Sequence, residues 1–350
     1  MTGRGELVHL GCYTAASGGR GEGIVAARRD PDSGALTVLG TVAATPSPSF
    51  LARHPTLPVL YAVNEIAEGT VRAWRIDADG GLTELASRST GGHSPCHVAV
   101  APDGSYLFVA NYASGSVAAF RLDASGVPGE RTDLVQHSGH GPDPSRQEAP
   151  HAHMVSPDPR DGTVLAVDLG TDTVYRYAVT DSGRLVPAGA AVRTASGAGP
   201  RHLVRHPDGR RWFLDGELDA TVVAYEWVGE DARQLTRVPA SGRTGHVQPS
   251  EIALGRDGRY LYVANRGIGT ISTFAVDDLQ LRHVAEVETG GPWPRHFALI
   301  GDHLYVADER ADLVSVFTVD PATGVPSSAA VAQAAVPSPT CVLATLGGTS

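Results

Sequence analysis

Short apolar runs separated by turn signals fill this chain from end to end, and helical periodicity is hard to find anywhere in it. One phrase recurs: a proline, an apolar run, a turn, a second apolar run ending in Asn or Asp, then a third run. In the copy that starts at Pro95, residues 97–101 alternate as a strand does and Pro102-Asp103-Gly104 turns the chain. An aromatic and β-branched run follows at 106–110, a third strand at 116–122, a turn at 123–126 and a fourth strand at 132–137. Copies begin at Pro48, Pro95, Pro150, Pro200, Pro249, Pro294 and Pro339, separated by 47, 55, 50, 49, 45 and 45 residues. That period suits a four-stranded propeller blade.

The copy at Pro339 has room for one strand only, 340–346, whereas the N-terminus supplies runs at 7–13, 24–28 and 36–42. A C-terminal strand that completes the N-terminal blade leaves no edge of the ring unpaired. The chain is therefore expected to be all-β: a single domain, residues 6–347, forming a seven-bladed β-propeller of four-stranded antiparallel blades, its ring closed by the C-terminal strand. Two packed sandwiches are the nearest rival, and the near-constant period leaves little room for them.

A repeat is also an internal alignment. Positions that obey it are structural, and positions that break it need another explanation. The first two strands of a blade are antiparallel, so the start of one lies beside the end of the other at a single rim. The residue after each proline reads Ser49, Cys96, His151, Arg201, Ser250, Arg295 and Thr340. The residue after the Asn or Asp of the second strand reads Glu65, Tyr112, Leu169, Glu217, Arg266 and Glu309, with Tyr13 in the shared blade. Polar groups without a consensus, in two columns facing one channel mouth, describe a binding rim. The second residue after the proline is His97, His202 and His296 in three blades, which suits hydrogen-bonded blade packing. Glu251 breaks that column; a buried carboxylate needs a partner, and an arginine at the rim is expected to supply it.

The longest insertion precedes Pro150. It is rich in Gly and Pro over 139–145 and leads through Arg146 to His151 and His153. Two histidines at spacing two on a strand share a face, and histidine titrates near neutrality, which suits proton transfer or substrate binding. An H-x-H without a cysteine pair or an H-E-x-x-H does not specify zinc, so neither a metal nor a cofactor is expected. Trp293, in Gly290-Gly291-Pro292-Trp293-Pro294, either walls the mouth or packs in the core. Cys96 has no evident base beside it and is read as structural.

Charge narrows the partners. The net charge is −10, and all 28 basic residues are arginine, so neither a lysine Schiff base nor a lysine nucleophile is available. An acidic balance disfavours nucleic acid and anionic membrane, while a local arginine cluster still suits a small anionic substrate. Three sparse cysteines form no disulfide framework. Met1 to Leu10 carries no apolar signal core, and no apolar run reaches the length of a membrane span, so a cytoplasmic protein is expected. Nothing in the pattern sets an oligomeric state.

Several phrases together resemble the lactonase-type seven-bladed propellers, a group that includes propeller 6-phosphogluconolactonases and carboxy-cis,cis-muconate cyclases. They are His54-Pro55-Thr56-Leu57-Pro58 through Asn64-Glu65, Ala110-Asn111-Tyr112, residues 146–153 and Asp168-Leu169-Gly170-Thr171-Asp172. Gly199-Pro200-Arg201-His202, Ala264-Asn265-Arg266-Gly267 and Pro294-Arg295-His296-Phe297 complete the set. The resemblance implies catalytic roles for His151, Arg201, Glu217 and Arg266, all of which fall in the two rim columns. Arg146, His153, Glu251, Arg295, Glu65 and Tyr112 are the candidate substrate-binding groups around them. One departure is Gly216, where the family usually carries Asn before the glutamate. Three functions remain open at this point. One is hydrolysis of a sugar-acid lactone such as 6-phosphogluconolactone, with Glu217 or His151 as general base and arginines on the oxyanion. The others are cyclisation of a carboxylated muconate and non-catalytic ligand binding.

Overall fold

A computed structural model describes residues 6–189, 192–278 and 280–344. It contains seven antiparallel sheets, six with their strands in chain order, one of these with a short fifth strand, Val192–Arg193, beside its third, and one closed by the last strand of the chain. The blade that starts at Pro95 comprises Pro95–Val100, Tyr106–Asn111, Ser116–Leu122 and Pro128–Gln136, close to the strands the pattern predicts. The closing blade takes Pro339–Ala344 as its innermost strand, followed by Glu6–Cys12, Gly23–Arg29 and Leu36–Ala44. Val8 faces Ala344, and Leu10 faces Val342. Residues 345–347, the end of the expected last strand and domain, lie outside the described residues.

Each blade is apolar on both faces because it is sandwiched between two others. Seven hydrophobic clusters result, each shared by two successive blades. One joins Val8, Leu10 and Val25 of the closing blade to Tyr305, Val314 and Val316 of the preceding blade. Another joins Ile24 and Cys341 to Leu51, Leu60 and Trp74 of the next. The ring is thus continuous in its core as well as in its chain.

Buried tyrosines add a repeating latch on the rim far from the candidate site. The hydroxyls of Tyr61, Tyr262 and Tyr305 donate to the carbonyls of Gly126, Gly324 and Gly34 in the adjacent blade, at 2.6, 2.8 and 2.7 Å. Each contributes roughly 1 kcal/mol net. Among the described residues no helix is long and apolar enough to cross a membrane.

Candidate active site

At the other rim the two columns do face one another, with one change of register. Backbone hydrogen bonds run from Tyr112 N to Ser94 O, Leu169 N to His151 O, Glu217 N to Gly199 O and Glu309 N to Trp293 O. His151 therefore matches Ser94 and Gly199, residues before the proline, and Ala152 pairs with Asp168 as Pro95 pairs with Asn111. The column that begins the inner strands reads Ser49, Cys96, His153, Arg201, Ser250, Arg295 and Thr340. His153, rather than His151, belongs to it. Pro150 misleads because this blade opens on Ala152, where most of the others open on proline.

The insertion is held by Gln147, fully buried, whose Nε2 donates to Leu169 O at 2.8 Å and to Asp172 Oδ1 at 2.7 Å. Gly170 lets it pass: a Cβ there would sit 1.9 Å from Ala149 O and 2.8 Å from His151 N. This close approach delivers His151 onto Tyr112, ring centroids 4.6 Å apart and planes 18° from parallel. His151 Nδ1 lies 3.1 Å from Tyr112 O, a carbonyl that can only accept, so Nδ1 carries the hydrogen. Nε2 lies 3.2 Å from Glu148 Oε1, a carboxylate oxygen that also accepts, so the ring is held between two acceptors. His153 touches the edge of the same Tyr112 ring at 5.6 Å. Burial foremost, with Arg201 beside it, keeps His153 neutral, well below the usual histidine range.

Glu217 is the hub of the mouth. Gln248 Nε2 donates to its Oε1 at 2.7 Å, and Arg146 Nη2 donates to the same oxygen. Arg266 Nη2 donates to Oε2 at 2.7 Å, and Arg201 Nε lies 3.1 Å from that oxygen. Burial opposes ionisation of this carboxyl, but Arg266, Arg201 and Arg146 together outweigh it and hold its pKa well below the usual range. Arg266 is pushed down to about 10 by burial in spite of Glu217, and so stays cationic at neutral pH. Its other donors go to the carbonyls of Gln248 and Pro249. Arg201 is different: it is 3% exposed, yet Nη1 has no hydrogen-bond partner and Nε meets Glu217 Oε2 as an ion pair without hydrogen-bond alignment. Gly216 is explained by Asp219, whose Oδ1 would be 2.2 Å from a Cβ at that position, and the Glu217 backbone keeps the register of its column.

Arg295 occupies the opposite side of the mouth. Its Nη2 donates to Tyr13 Oη and lies 3.7 Å from Glu65 Oε2, while Nη1 lies 3.8 Å from Glu309 Oε2. Tyr13 Oη donates to Glu65 Oε2 at 2.8 Å. Trp293 walls the rim between Arg266 and Arg310, whose Cζ atoms stand 5.4 and 3.3 Å from its ring centre.

Below the mouth, a narrow cavity of about 10 Å³ along the axis is lined by Ser49, Cys96, Arg201, Glu251, Arg295 and Thr340, among others. Glu251 has imidazoles as its nearest partners, His202 Nδ1 at 3.0 Å and His296 Nε2 at 3.6 Å, while the expected arginine, Arg201, lines the same pocket and acts on it without a direct bond. The two histidines stand on the blades either side of it. Burial pushes Glu251 up to about 8, His296 down to about 3 and His202 well down, so this cluster is uncharged at neutral pH. His97, His202, His296 and Phe50 pack ring against ring across the axis, with centroids 4.1–5.9 Å apart. Burial also raises the Cys96 thiol, which removes it as a nucleophile. Among the described residues no group of His, Cys, Asp or Glu is arranged to hold a metal.

The structure thus gathers Arg146, Arg201, Glu217 and Arg266 on one side of a single mouth, and Glu65 and Arg295 on the other. His151, His153 and Tyr112 stand beside the first group and Glu251 beneath. Asp215 escaped the sequence reading. Its column is otherwise Val63, Ala110, Val167, Ala264 and Ala307, so a carboxylate there was a visible break. It is fully buried beside Glu217, accepts from His202 N at 2.7 Å, and is pushed up to about 7 by burial. Gln248 and Glu148 were missed as well; neither stands in a column that singles it out.

Comparison with known proteins matches residues 7–344 to the family described as "Lactonase, 7-bladed beta-propeller". A 6-phosphogluconolactonase of Bacillus subtilis is 34% identical over 95% of this chain and 97% of that protein. Among solved structures, the periplasmic gluconolactonase PpgL of Pseudomonas aeruginosa superposes with a TM-score of 0.90 at 34% identity, covering 97% of this chain and 98% of its own. A Lactobacillus plantarum protein superposes with a TM-score of 0.89 at 34% identity, covering 96% and 98%.

Proposed function

The chain belongs to the seven-bladed β-propeller lactonase family, and we propose that it hydrolyses a sugar-acid lactone, with 6-phosphogluconolactone as the substrate and 6-phosphogluconate as the product. The observation that carries this reading is Arg201, a buried guanidinium that lines the axial pocket, pairs with Glu217 through Nε and leaves Nη1 without a hydrogen-bond partner. A buried donor without a partner costs about 1–3 kcal/mol, and more for a charged group. An oxyanion formed at the lactone carbonyl would satisfy Arg201 Nη1.

His151 is the better general base. Its Nδ1 is held by the Tyr112 carbonyl, and its Nε2 becomes available to accept when the half-exposed Glu148 side chain turns away to water. Glu217 is unsuited, since its oxygens are engaged by Arg146, Arg266 and Gln248 and its depressed pKa makes it a weak base. In this mechanism His151 takes a proton from water, and the hydroxyl adds to the lactone carbonyl. The tetrahedral oxyanion rests on Arg201. As the ring C–O bond breaks, imidazolium returns the proton to the departing ring oxygen, which leaves as the sugar hydroxyl. Glu217 fixes the arginines, and Arg146, the most exposed of the three, faces a phosphate entering over the insertion.

The test is ring opening of 6-phosphogluconolactone by folded wild-type protein. A rate well above the spontaneous one is expected. Opening at the spontaneous rate, in a sample that still binds 6-phosphogluconate, rejects catalysis in favour of a binding propeller.

A further inference from the structure

The two sides of the mouth carry opposite charge. Around Glu217, three arginines face one carboxylate. Around Arg295, two carboxylates face one guanidinium, and Tyr13 Oη already donates to one of them. Arg295 is accordingly a poor grip for a phosphate: its charge is spent on Glu65 and Glu309. Among the described residues no hydrogen bond reaches Glu65 Oε1 or either carboxylate oxygen of Glu309. Both side chains are about four-fifths buried, at 17% and 20% exposed, so they are set in place rather than waving in solvent. On the blade of Glu65, whose backbone nitrogen bonds Ser47 O, Ser49 Oγ is buried without a partner and lines the axial pocket together with Arg201 and Arg295.

We propose that Glu65, Glu309 and Ser49, with Arg295 and Tyr13 as their support, form a hydroxyl-reading subsite that selects polyhydroxylated lactones and rejects polycarboxylated ones. The proposal rests on the lactonase reading and deepens it. A carboxylate accepts short, charge-assisted hydrogen bonds from hydroxyls, and two carboxylates side by side match neighbouring hydroxyls on a sugar ring. The same pair repels a second carboxylate on the ligand. An acid with its charge at one end and hydroxyls along its length matches the mouth end for end: anionic group to Arg201, hydroxyls to Glu65 and Glu309. A muconate-type tricarboxylate would have to place charge against charge. A pocket built to hydrogen-bond hydroxyls also discriminates strongly against analogues that lack them, because its own polar groups are then left unpaired.

The experiment is calorimetric binding of D-gluconate, hexanoate and tricarballylate to the full chain and to Glu309→Gln and Glu65→Gln/Glu309→Gln variants. Gluconate and hexanoate share chain length and charge and differ in hydroxyls. Wild type should prefer gluconate by roughly 10- to 100-fold, the range expected of one hydrogen bond to a charged group. Each variant should lose much of that preference and bind tricarballylate more tightly than wild type does. The Glu309 carboxylate accepts no hydrogen bond from the described residues, so its single variant keeps the test informative if the double variant melts early. Equal affinity for gluconate and hexanoate in wild type, no binding of gluconate, or full preference retained in Glu309→Gln overturns the subsite. Hydroxyl preference without any lactone turnover would sink the catalytic reading and leave the subsite standing. Turnover without the preference would do the reverse.

Discussion

Glu217→Gln removes one charge and keeps the shape, which isolates what the carboxylate does for the arginines around it. Arg201 and Arg266 are almost wholly buried, at 3% and 5% side-chain exposure, whereas Arg146 is 34% exposed and can turn to water. Breaking a buried ion pair by removing one partner costs about 3–5 kcal/mol, because the remaining charge stays desolvated. With an unfolding entropy of roughly 2.1 cal/mol/K per residue, a chain of 350 residues loses about 1.4 °C per kcal/mol, so the melting temperature should fall by about 4–7 °C. An anion can take the place of the lost carboxylate. At 100 times its dissociation constant it returns about 2.7 kcal/mol. Thermal unfolding in rising phosphate, with chloride of equal ionic strength as the control, should therefore rescue the variant more than it stabilises wild type, where Glu217 already occupies the arginines. An unchanged or raised melting temperature, without selective phosphate rescue, would refute the claim that Glu217 neutralises a buried cationic cluster.

Three further outcomes follow from the geometry. His151→Ala should lower kcat for lactone opening by about 10²–10⁴-fold while leaving product affinity within a few-fold; Gly170→Ala, which forces the insertion off the Leu169–Gly170 turn, should reproduce part of that loss, and normal kcat in either contradicts His151 as base. Burial holds Glu251 up at about 8 and Asp215 at about 7, above their ordinary values of 4.5 and 3.8, so the folded state binds both protons more tightly. Their stability contribution is complete below about pH 4 and is lost as pH rises through 7–8, by up to about 1.4 kcal/mol per pH unit for each group. Denaturant unfolding of Glu251→Gln should fall less steeply than wild type from about pH 5 to 8, and identical slopes would contradict a proton on Glu251. Finally, Cys96→Ser should retain activity, and folded wild type should resist thiol alkylation, since the buried Cys96 sulfur donates towards His153 O at 3.3 Å and its thiolate is disfavoured; rapid inactivation by alkylation at Cys96 would show otherwise.

The blades and their closure were legible because a repeat writes the same strand-turn-strand pattern once per blade, and a half-empty last copy has only one place to go. The rim columns were legible for the same reason. What failed did so where the repeat itself slips. Pro150 looks like the other blade-opening prolines, but the strand opens at Ala152, two residues on, and only the pairing with Asp168 reveals it. The error exchanged His151 for His153 in the column, yet both histidines still border Tyr112. Glu251 was seen to need a partner, but adjacency around a closed ring, His202 on one side and His296 on the other, is a property of the circle and not of any local run. Asp215 shows the opposite case: the break in its column was readable, and the carboxyl lies next to the hub of the site. The division of the mouth into a cationic and an acidic side depends on which carboxylate each arginine reaches, and spacing along the chain does not encode that.

A crystal structure of the wild-type protein with 6-phosphogluconate bound tests the central claim most directly. The C1 carboxylate should stand about 3 Å from Arg201 Nη1, within reach of His151 Nε2, with sugar hydroxyls against Glu65 and Glu309. A ligand seated away from Arg201, or one whose phosphate lies between Glu65 and Glu309, would contradict it.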